Sequence, residues 1–460
     1  MQYASFTFLF LFLPITLGIY ALTPQAKKPY VMLGISVLSL LFGGVFSALI
    51  ELLLTLGLFG AGILLEHCRK QGRKKSGRLF LCGFIILCLA VCLFLRSDFV
   101  QSYSGSWWTG TDFFPLGLSF FTLQYIGYCL DVWQAKIAAE RRPWRLFLYM
   151  LFFPCHLMGP VLSYEEADKL LFQPHVSLSR VGSGLQRFLM GLAKKLLLAD
   201  GLSHLYETLA YADPTAYSIT FLWLGAFAEW MSLYLEFSGY ADMALGLAAC
   251  YGIQLPECYG KTVYYYSIRQ GSEHWNQSVV QWFYRYIGAH VHGQHTFIHV
   301  LGMMLTWGCI GLWYDVSPMT FGFGLWIGLF ISLEYLLDKR QTQSGVRLVI
   351  CTLLCCIGTL LCSITNWSTG LSYLQGMIGM GSIAPTDADG AVLTAYWIVL
   401  LVSFYVTTGN WHTLTHKLFA QPKFKPIEVP CRVLAAILLL VLDASILIVM
   451  GGTAEMQLVL

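Results

Sequence analysis

Charged residues are scarce in this chain. Only 12% of its 460 residues are Asp, Glu, Lys or Arg, about half the share found in an average globular domain. No polar stretch is long enough to form a separate soluble domain, and no basic tail indicates nucleic-acid binding. These absences exclude a soluble protein and a nucleic-acid-binding protein, and they leave a chain that is 57% hydrophobic.

Long apolar runs recur from one end of the chain to the other. Runs of about 17–25 residues have the length that crosses a bilayer as a helix. We therefore predict an all-α, polytopic integral membrane protein with about eleven transmembrane helices plus one or two re-entrant segments. Residues 1–460 are expected to form a single membrane domain. Residues 3–22 lack a charged n-region and a cleavage site, which favours a first membrane helix over a signal peptide.

Basic loops predict the topology. Residues 67–78 contain six Lys and Arg residues in one short loop, which places that loop in the cytoplasm and the N-terminus outside. The run Tyr30–Glu66 must then be a tight helical hairpin. Trp107 and Trp108 suit an interfacial belt on the outer side. The apolar segment 144–165 is interrupted by Pro and Gly, which favours a kinked or re-entrant segment that lines a cavity.

Disulfide and metal signatures are also missing. The fourteen cysteines are scattered, many of them in apolar runs, and free Cys behaves there as a small hydrophobe. A metal site is an alternative for the histidine cluster, but no carboxylate or Cys completes a familiar ligand pattern. We therefore predict no metal site and favour solvated or headgroup-facing side chains for these histidines: His290, His292, His295, His299, His412 and His416.

Polar and charged side chains concentrate between Tyr234 and Tyr314, among strongly apolar segments. Ionisable groups at membrane depth are costly, so such a cluster indicates a functional site. A cytoplasmic loop with ordinary solvated charges is the alternative, and spacing does not decide between them. The residues concerned are Glu236, Asp242, Arg269, Glu273, His274, Asn276 and Arg285.

Several stretches of the chain, in a fixed order, resemble one family, the membrane-bound O-acyltransferases. The resemblance is to the branch that serves bacterial alginate-type O-acetylation and teichoic-acid D-alanylation. It covers about residues 110–335, which leaves 1–100 and 340–460 as peripheral helices. The matching stretches are LSFFTLQYIGYCLDVW (118–133), FFPCHLMGPVLSYEE (152–166), GLAKKLLLAD (191–200), YLEFSGYADMALGLA (234–248), LPE (255–257), SIR (267–269), WNQSVVQWF (275–283) and GLW (311–313).

The resemblance implies a helical membrane fold with a funnel through the bilayer. It also implies transfer of an acyl group, of acetyl or D-alanyl type, to a hydroxyl of a cell-surface polysaccharide. No bound cofactor is expected. The donor would be acetyl-CoA or an acyl carrier protein on the cytoplasmic side, and a glycan or an extracytoplasmic acyltransferase would be the outer partner. The implied location is a bacterial plasma membrane, which the chain crosses several times as a multi-pass protein in contact with the lipid bilayer.

The chain departs from the family at the two positions that carry its chemistry. The family has a His in its WH.SLS.W segment and a second His, acting as base, in GLWHG. Here these positions are Asn276 and Tyr314. An Asn amide has no usable basicity, and a Tyr phenol has an unperturbed pKa of about 10, so at neutral pH it donates a proton better than it accepts one.

Other histidines could supply the missing base. His156 lies in the segment expected to line the cavity, and His299 belongs to the cluster named above. His274 is two positions from Asn276, and on a continuous helix it would be turned about 200° away. The family's lysine pair, Lys194 and Lys195, is expected to reach the interface by snorkelling. The remaining candidates, expected along the substrate funnel, are Glu236, Asp242, Arg269, Trp275, Ser278, Trp282 and Trp313.

Two functions of different class remain open on the sequence. The first is an active O-acyltransferase with a rearranged site around Asn276, Tyr314 and a nearby His. The second is a catalytically inactive relative that serves as a conduit or scaffold for a cell-envelope modification or export complex. The two substituted histidines favour the second function, whereas the retained Trp275, Ser278 and Trp282 favour a functional cavity. An imidazole that reaches the cavity would discriminate between them.

Overall fold

The computed structural model describes residues 5–96, 117–156, 158–212, 216–288, 296–337, 343–363, 367–380, 383–421 and 423–450. Every regular element in these ranges is a helix, which confirms the all-α prediction. Trp107 and Trp108, and His290, His292 and His295, lie outside the described residues, as do the side chains of His412 and His416. The described chain divides into two compact units.

Unit 1 comprises Met1–Phe188, Met243–Pro256 and Leu447–Leu458. Its α-helices are α1 (Leu13–Leu22), α2 (Lys28–Gly43), α3 (Val45–Lys70), α4 (Lys74–Arg96), α5 (Leu118–Trp133), α6 (Pro143–Met150), α7 (Tyr164–Leu171) and most of α8 (Leu178–Ala193). A π-helical turn, Thr7–Phe12, precedes α1, and short 3₁₀ turns occur at Gln25–Lys27 and Phe153–Cys155.

Unit 2 comprises Leu189–Asp242, Glu257–Ile446 and Val459–Leu460. Its α-helices are α9 (Asp200–Ala210), most of α10 (Ile219–Cys250), α11 (Ile268–Glu273), α12 (Gln277–Phe283), α13 (Thr296–Tyr314), α14 (Pro318–Leu337), α15 (Gly345–Ser363), α16 (Trp367–Gln375), α17 (Asp387–Thr407), α18 (Asn410–Ala420) and α19 (Glu428–Val449). π-Helical turns occur at Lys194–Ala199, Tyr284–Gly288 and Gly376–Met380, and a 3₁₀ turn at Lys425–Ile427.

Seven helices in the described part of the chain are long and apolar enough to cross a membrane. The polytopic character is therefore confirmed, while the total of about eleven spans stays a prediction. The seven are Val45–Lys70, Lys74–Leu95, Thr296–Tyr314, Pro318–Leu337, Gly345–Ser363, Asp387–Thr407 and Lys425–Val449.

Two backbone predictions are confirmed in unit 1. The hairpin turns at Gly44, where φ is +136°; only glycine adopts this conformation without strain, so α2 ends and α3 begins around it. The segment 144–165 is broken as its Pro and Gly residues predict: α6 ends at Met150, and regular helix resumes only at Tyr164. Helix α5 packs against α3 and α4, and Tyr128 of α5 lies against Gly62 of α3, where a Cβ would approach the ring to 2.8 Å.

Helices α13 and α14 form the closest helix pair of unit 2. A Cβ at Gly311 would overlap the carbonyl oxygen of Thr320, and a Cβ at Gly324 would overlap that of Trp307. Small residues let helix backbones approach closely where lipid provides no hydrophobic driving force between them. These glycines therefore set the position of Tyr314, which ends α13.

Adding a single methyl group to this contact should destabilise unit 2. Because its Cβ would overlap a backbone carbonyl, Gly324→Ala should cost about 1–3 kcal/mol, the range for overpacking. Gly322 of the same helix has no neighbour within 4 Å of its Cβ position, so Gly322→Ala should keep or raise stability. The check is the unfolding midpoint of both variants in detergent. Equal midpoints would contradict the close-packing argument.

Candidate functional site

Tyr314 is the centre of a buried hydrogen-bonded cluster in unit 2. Its phenolic oxygen accepts a hydrogen bond from Trp275 Nε1 at 2.9 Å and a longer one from Asn276 Nδ2 at 3.4 Å. The ring of Phe237 packs edge-on against the Tyr314 ring at 5.7 Å between centroids. Tyr314 is 8% exposed and Asn276 1%. The structure thus brings Asn276 and Tyr314 into direct contact.

Asn276 adopts a backbone conformation that few residue types tolerate. Its φ is +42° and its ψ +56°, in the left-handed region where Asn and His are enriched. The residue lies between α11 and α12, and the backbone around it is anchored twice: Gly260 N donates to the His274 carbonyl at 2.9 Å, and Gln277 N donates to the Cys258 carbonyl at 2.7 Å. This anchoring holds Trp275 and Asn276 against Tyr314.

A cavity of about 170 Å³ adjoins the cluster. Trp275 and Tyr314 form part of its wall, and the rest comes from α10, α11, α13, α14 and α15 and from the segments that flank α11 and follow α13. The lining is mainly aromatic and aliphatic, with a few residues that carry hydroxyl, thiol, imidazole or carboxyl groups. Apolar cavities with a small number of polar groups are typical of ligand-binding sites. Thr262 and Thr352 line both this cavity and a second, more open one, so the two adjoin.

His274 also lines this cavity, contrary to the helical-wheel prediction that turned it away. The assumption of a continuous helix was wrong: α11 ends at Glu273, and α12 begins only at Gln277. The imidazole stacks on the ring of Tyr265 at 5.2 Å between centroids, and Nδ1 lies 2.8 Å from the Gln270 carbonyl oxygen. His274 therefore shares the cavity wall with Tyr314.

Glu334 of α14 holds part of this site, although the sequence assigned it no role. Its carboxylate accepts hydrogen bonds from Ser267 Oγ at 2.7 Å, Ile268 N at 2.9 Å and Arg269 N at 3.0 Å. A carboxylate at the first turn satisfies backbone N–H groups that have no partner within the helix. Glu334 thus positions α11, and with it the segment that carries His274 and Trp275. The only sequence signal for Glu334 was its position as an acidic residue within an apolar helix.

The predicted funnel residues do not all reach the cavity. Trp275 lines it, whereas Arg269 pairs with Glu273 at 2.9 Å where both side chains are about half exposed. Trp313 packs against the Tyr314 ring at 5.0 Å between centroids. On α12, within the described part of the chain, Ser278 Oγ and Trp282 Nε1 are buried and have no hydrogen-bond partner. A role in binding stays a prediction for four of the residues: Arg269, Trp313, Ser278 and Trp282.

Glu236 and Asp242 form ion pairs with the two lysines. Lys194 Nζ lies 2.7 Å from Asp242 Oδ2, and Lys195 Nζ lies 2.7 Å from Glu236 Oε1 and 2.6 Å from Asp200 Oδ1. Lys195 is 6% exposed. The snorkelling prediction for this pair is therefore wrong: the ammonium groups are held inside unit 2 by carboxylates of α9 and α10.

The two histidines selected as relocated bases have partners of their own. His299 is in the first turn of α13, about 22 Å along the helix axis from Tyr314 at 1.5 Å per residue, and its ring packs on Tyr335 at 4.5 Å between centroids. His156 belongs to unit 1, is 5% exposed, and has Nε2 2.8 Å from the Leu151 carbonyl oxygen. Neither lines the cavity of unit 2.

Metal chemistry has no donor set in the described part of the chain, where no three His, Cys, Asp or Glu side chains are grouped to hold an ion. The histidine cluster cannot be evaluated as a site, because His290, His292 and His295 lie outside the described residues.

Residues 142–347 match the model of the membrane-bound O-acyltransferase family. The chain carries a membrane-bound O-acyltransferase domain. The resemblance inferred from the motifs is confirmed, and the acyltransferase domain contains the whole cluster of Trp275, Asn276 and Tyr314. Together with its membrane helices and bacterial relatives, the match identifies a multi-pass protein of the bacterial inner membrane.

Curated relatives extend the similarity beyond the acyltransferase domain. The chain is 27% identical to the probable alginate O-acetylase AlgI of Azotobacter vinelandii, over 92% of this chain and 86% of that protein. It is 24% identical to the peptidoglycan O-acetyltransferase of Helicobacter pylori, over 82% and 80%. It is 21% identical to the teichoic acid D-alanyltransferase of Bacillus subtilis, over 49% and 60%.

Proposed function

We propose that this protein transfers an acyl group, of acetyl or D-alanyl type, from a cytoplasmic donor to a hydroxyl of a cell-surface polysaccharide. The observation that carries the proposal is the Tyr314 phenol at the cavity wall, with Trp275 and Asn276 donating to its oxygen. It stands where the family motif has its base. The named activities of the relatives, O-acetylation and D-alanylation, support this reaction class.

Tyr314 is proposed to stabilise the developing oxyanion. Acyl transfer to an alcohol passes through a tetrahedral intermediate, and hydrogen-bond donors aimed at its oxygen supply a large part of the catalysis. The Tyr314 oxygen already accepts two hydrogen bonds. Hydrogen bonds in series polarise one another, so Trp275 and Asn276 strengthen the phenol as a donor. In this arrangement Tyr314 acts as a donor rather than as a base.

The donor and the partners follow from the same proposal. An acyl thioester, either acetyl-CoA or an acyl carrier protein, would deliver the acyl group on the cytoplasmic side. A glycan or an extracytoplasmic acyltransferase would receive it on the outer side. The cavity of about 170 Å³ has room for an acetyl or alanyl group, which is compatible with entry of the acyl end of the donor.

The inactive-conduit alternative rests on the substitution of both family histidines. Three observations weigh against it: the substituted residues bond to each other, they adjoin a cavity, and an imidazole lines that cavity.

The test is acyl transfer by the purified protein reconstituted in liposomes. Labelled acetyl-CoA or an acyl-loaded carrier protein is supplied on one face and a bacterial polysaccharide acceptor on the other. We expect label to appear in the acceptor as an alkali-labile ester, and none to appear with protein-free liposomes. No transfer from either donor class to any surface-polymer acceptor would contradict the proposed function.

A further inference from the structure

Resting on the proposed function, we propose that His274 is the general base that activates the acceptor hydroxyl. The acyltransferase reaction needs a group that takes the hydroxyl proton, and neither Tyr314 nor Asn276 suits that task. His274 is the imidazole that lines the same cavity as Tyr314 among the described residues.

The hydrogen bond to Gln270 determines which ring nitrogen is basic. The Gln270 carbonyl oxygen can only accept, so His274 Nδ1, 2.8 Å away, carries the proton and donates. The neutral ring then has an unprotonated Nε2 with a lone pair available to accept a proton. A fixed partner on one nitrogen is how proteins select the tautomer of a catalytic imidazole.

Tyr265 fixes the plane of the ring. The two rings are stacked, with centroids 5.2 Å apart and an interplanar angle of 29°. The backbone carbonyl of His274 is also held by Gly260 N at 2.9 Å. The imidazole is thus constrained by its backbone, its Nδ1 and its face, which leaves Nε2 as the ring nitrogen that can accept a proton. Such pre-organisation reduces the reorganisation needed during the reaction.

The step balances with an acyl thioester as donor. The hydroxyl oxygen attacks the thioester carbonyl carbon while its proton moves to His274 Nε2, forming a C–O bond and an oxyanion that Tyr314 stabilises. Collapse of the oxyanion breaks the C–S bond, and the imidazolium returns its proton to the leaving sulfur. The products are an ester and a free thiol, and the neutral imidazole is regenerated.

Two variants of His274 test the assignment in the reconstituted transfer assay. His274→Asn keeps a donor that can reach the Gln270 carbonyl but removes the base, and it should lower turnover by about 10²-fold or more. His274→Ala opens space at the cavity wall, so added imidazole should restore part of its activity. His204 is exposed and bonds to Tyr396 outside the cavity. His204→Ala should therefore transfer at the wild-type rate and should not respond to imidazole.

The outcomes separate the two proposals. Loss of transfer in both His274 variants, with rescue of His274→Ala by added imidazole, supports the assignment of His274 as the base. The assignment is overturned, while the proposed function stands, if the rate of His274→Asn is within twofold of the wild-type rate. It is also overturned if added imidazole restores none of the activity lost in His274→Ala. If the wild type transfers no acyl group from any donor, the proposed function itself is overturned, and the assignment with it.

Discussion

Tyr314→Phe is expected to lower acyl transfer by about 10²–10³-fold, the effect of removing one oxyanion donor. The variant keeps the ring, its edge-on contact with Phe237 and the cavity volume, and it removes only the hydroxyl. The measurement is the initial rate in the reconstituted assay with saturating donor. Because the hydroxyl acts in the transition state, the loss should be in kcat with little change in KM.

The same substitution removes an acceptor, so its structural effect needs a control. Trp275 Nε1 and Asn276 Nδ2 would lose a buried partner, at about 1–3 kcal/mol for each unsatisfied donor. The unfolding midpoint must therefore be measured alongside the rate. Tyr405 of α17 is exposed, and Tyr405→Phe should leave rate and midpoint unchanged. A folded Tyr314→Phe protein with wild-type kcat would contradict the proposed role.

The double variant Tyr314→His/Asn276→His tests the chemistry from the other direction. It restores the two family histidines, and the left-handed backbone at position 276 tolerates His as well as Asn. If the double variant transfers the acyl group and the wild type does not, the chain is a conduit that has lost catalytic activity. If the wild type is active and the Tyr314→Phe variant is inactive, catalysis instead takes place at the cluster of Trp275, Asn276 and Tyr314.

Lys195→Met is expected to destabilise the protein by about 3–5 kcal/mol, the effect of breaking a buried ion pair from one side. Lys195 is 6% exposed, and its ammonium group lies 2.7 Å from Glu236 and 2.6 Å from Asp200. Met has a similar length, so packing is largely kept while two carboxylates lose their counter-charge. The measurement is the unfolding midpoint in detergent, with folded yield as a second readout.

Two further variants identify the cause of the loss. In Lys195→Met/Glu236→Gln one of the orphaned charges is neutralised, so the double variant should be more stable than Lys195→Met alone, with a coupling energy measured by the double-mutant cycle. Lys169 pairs with Glu165 at 2.7 Å, but both side chains are more than 60% exposed. Lys169→Met should therefore leave the unfolding midpoint nearly unchanged, because exposed ion pairs contribute little to stability. Equal losses at the two lysines would show that burial is not the cause.

The sequence by itself determined the fold class, the broken segment and the neighbourhood of the site. Long apolar runs can cross a bilayer only as helices, because lipid offers the backbone no hydrogen-bond partners, and Gly44 and the Pro-Gly segment interrupt helices for local steric reasons. The motif order also placed Trp275, Asn276 and Tyr314 in one functional region, and the structure joins them by hydrogen bonds. These features depend on local composition or on whole motifs, so a single sequence was enough.

Only the tertiary structure decided which polar groups meet. His274 was assigned to the wrong face because helical spacing holds only while the helix continues, and α11 ends at Glu273. Lys195 looked like a snorkelling residue because its partner Glu236 is on another helix and is invisible to local spacing. His299 and Tyr314 share α13 but lie near its two ends. Contacts between distant segments are set by packing, and packing assigned His274 and Tyr314 to the same cavity.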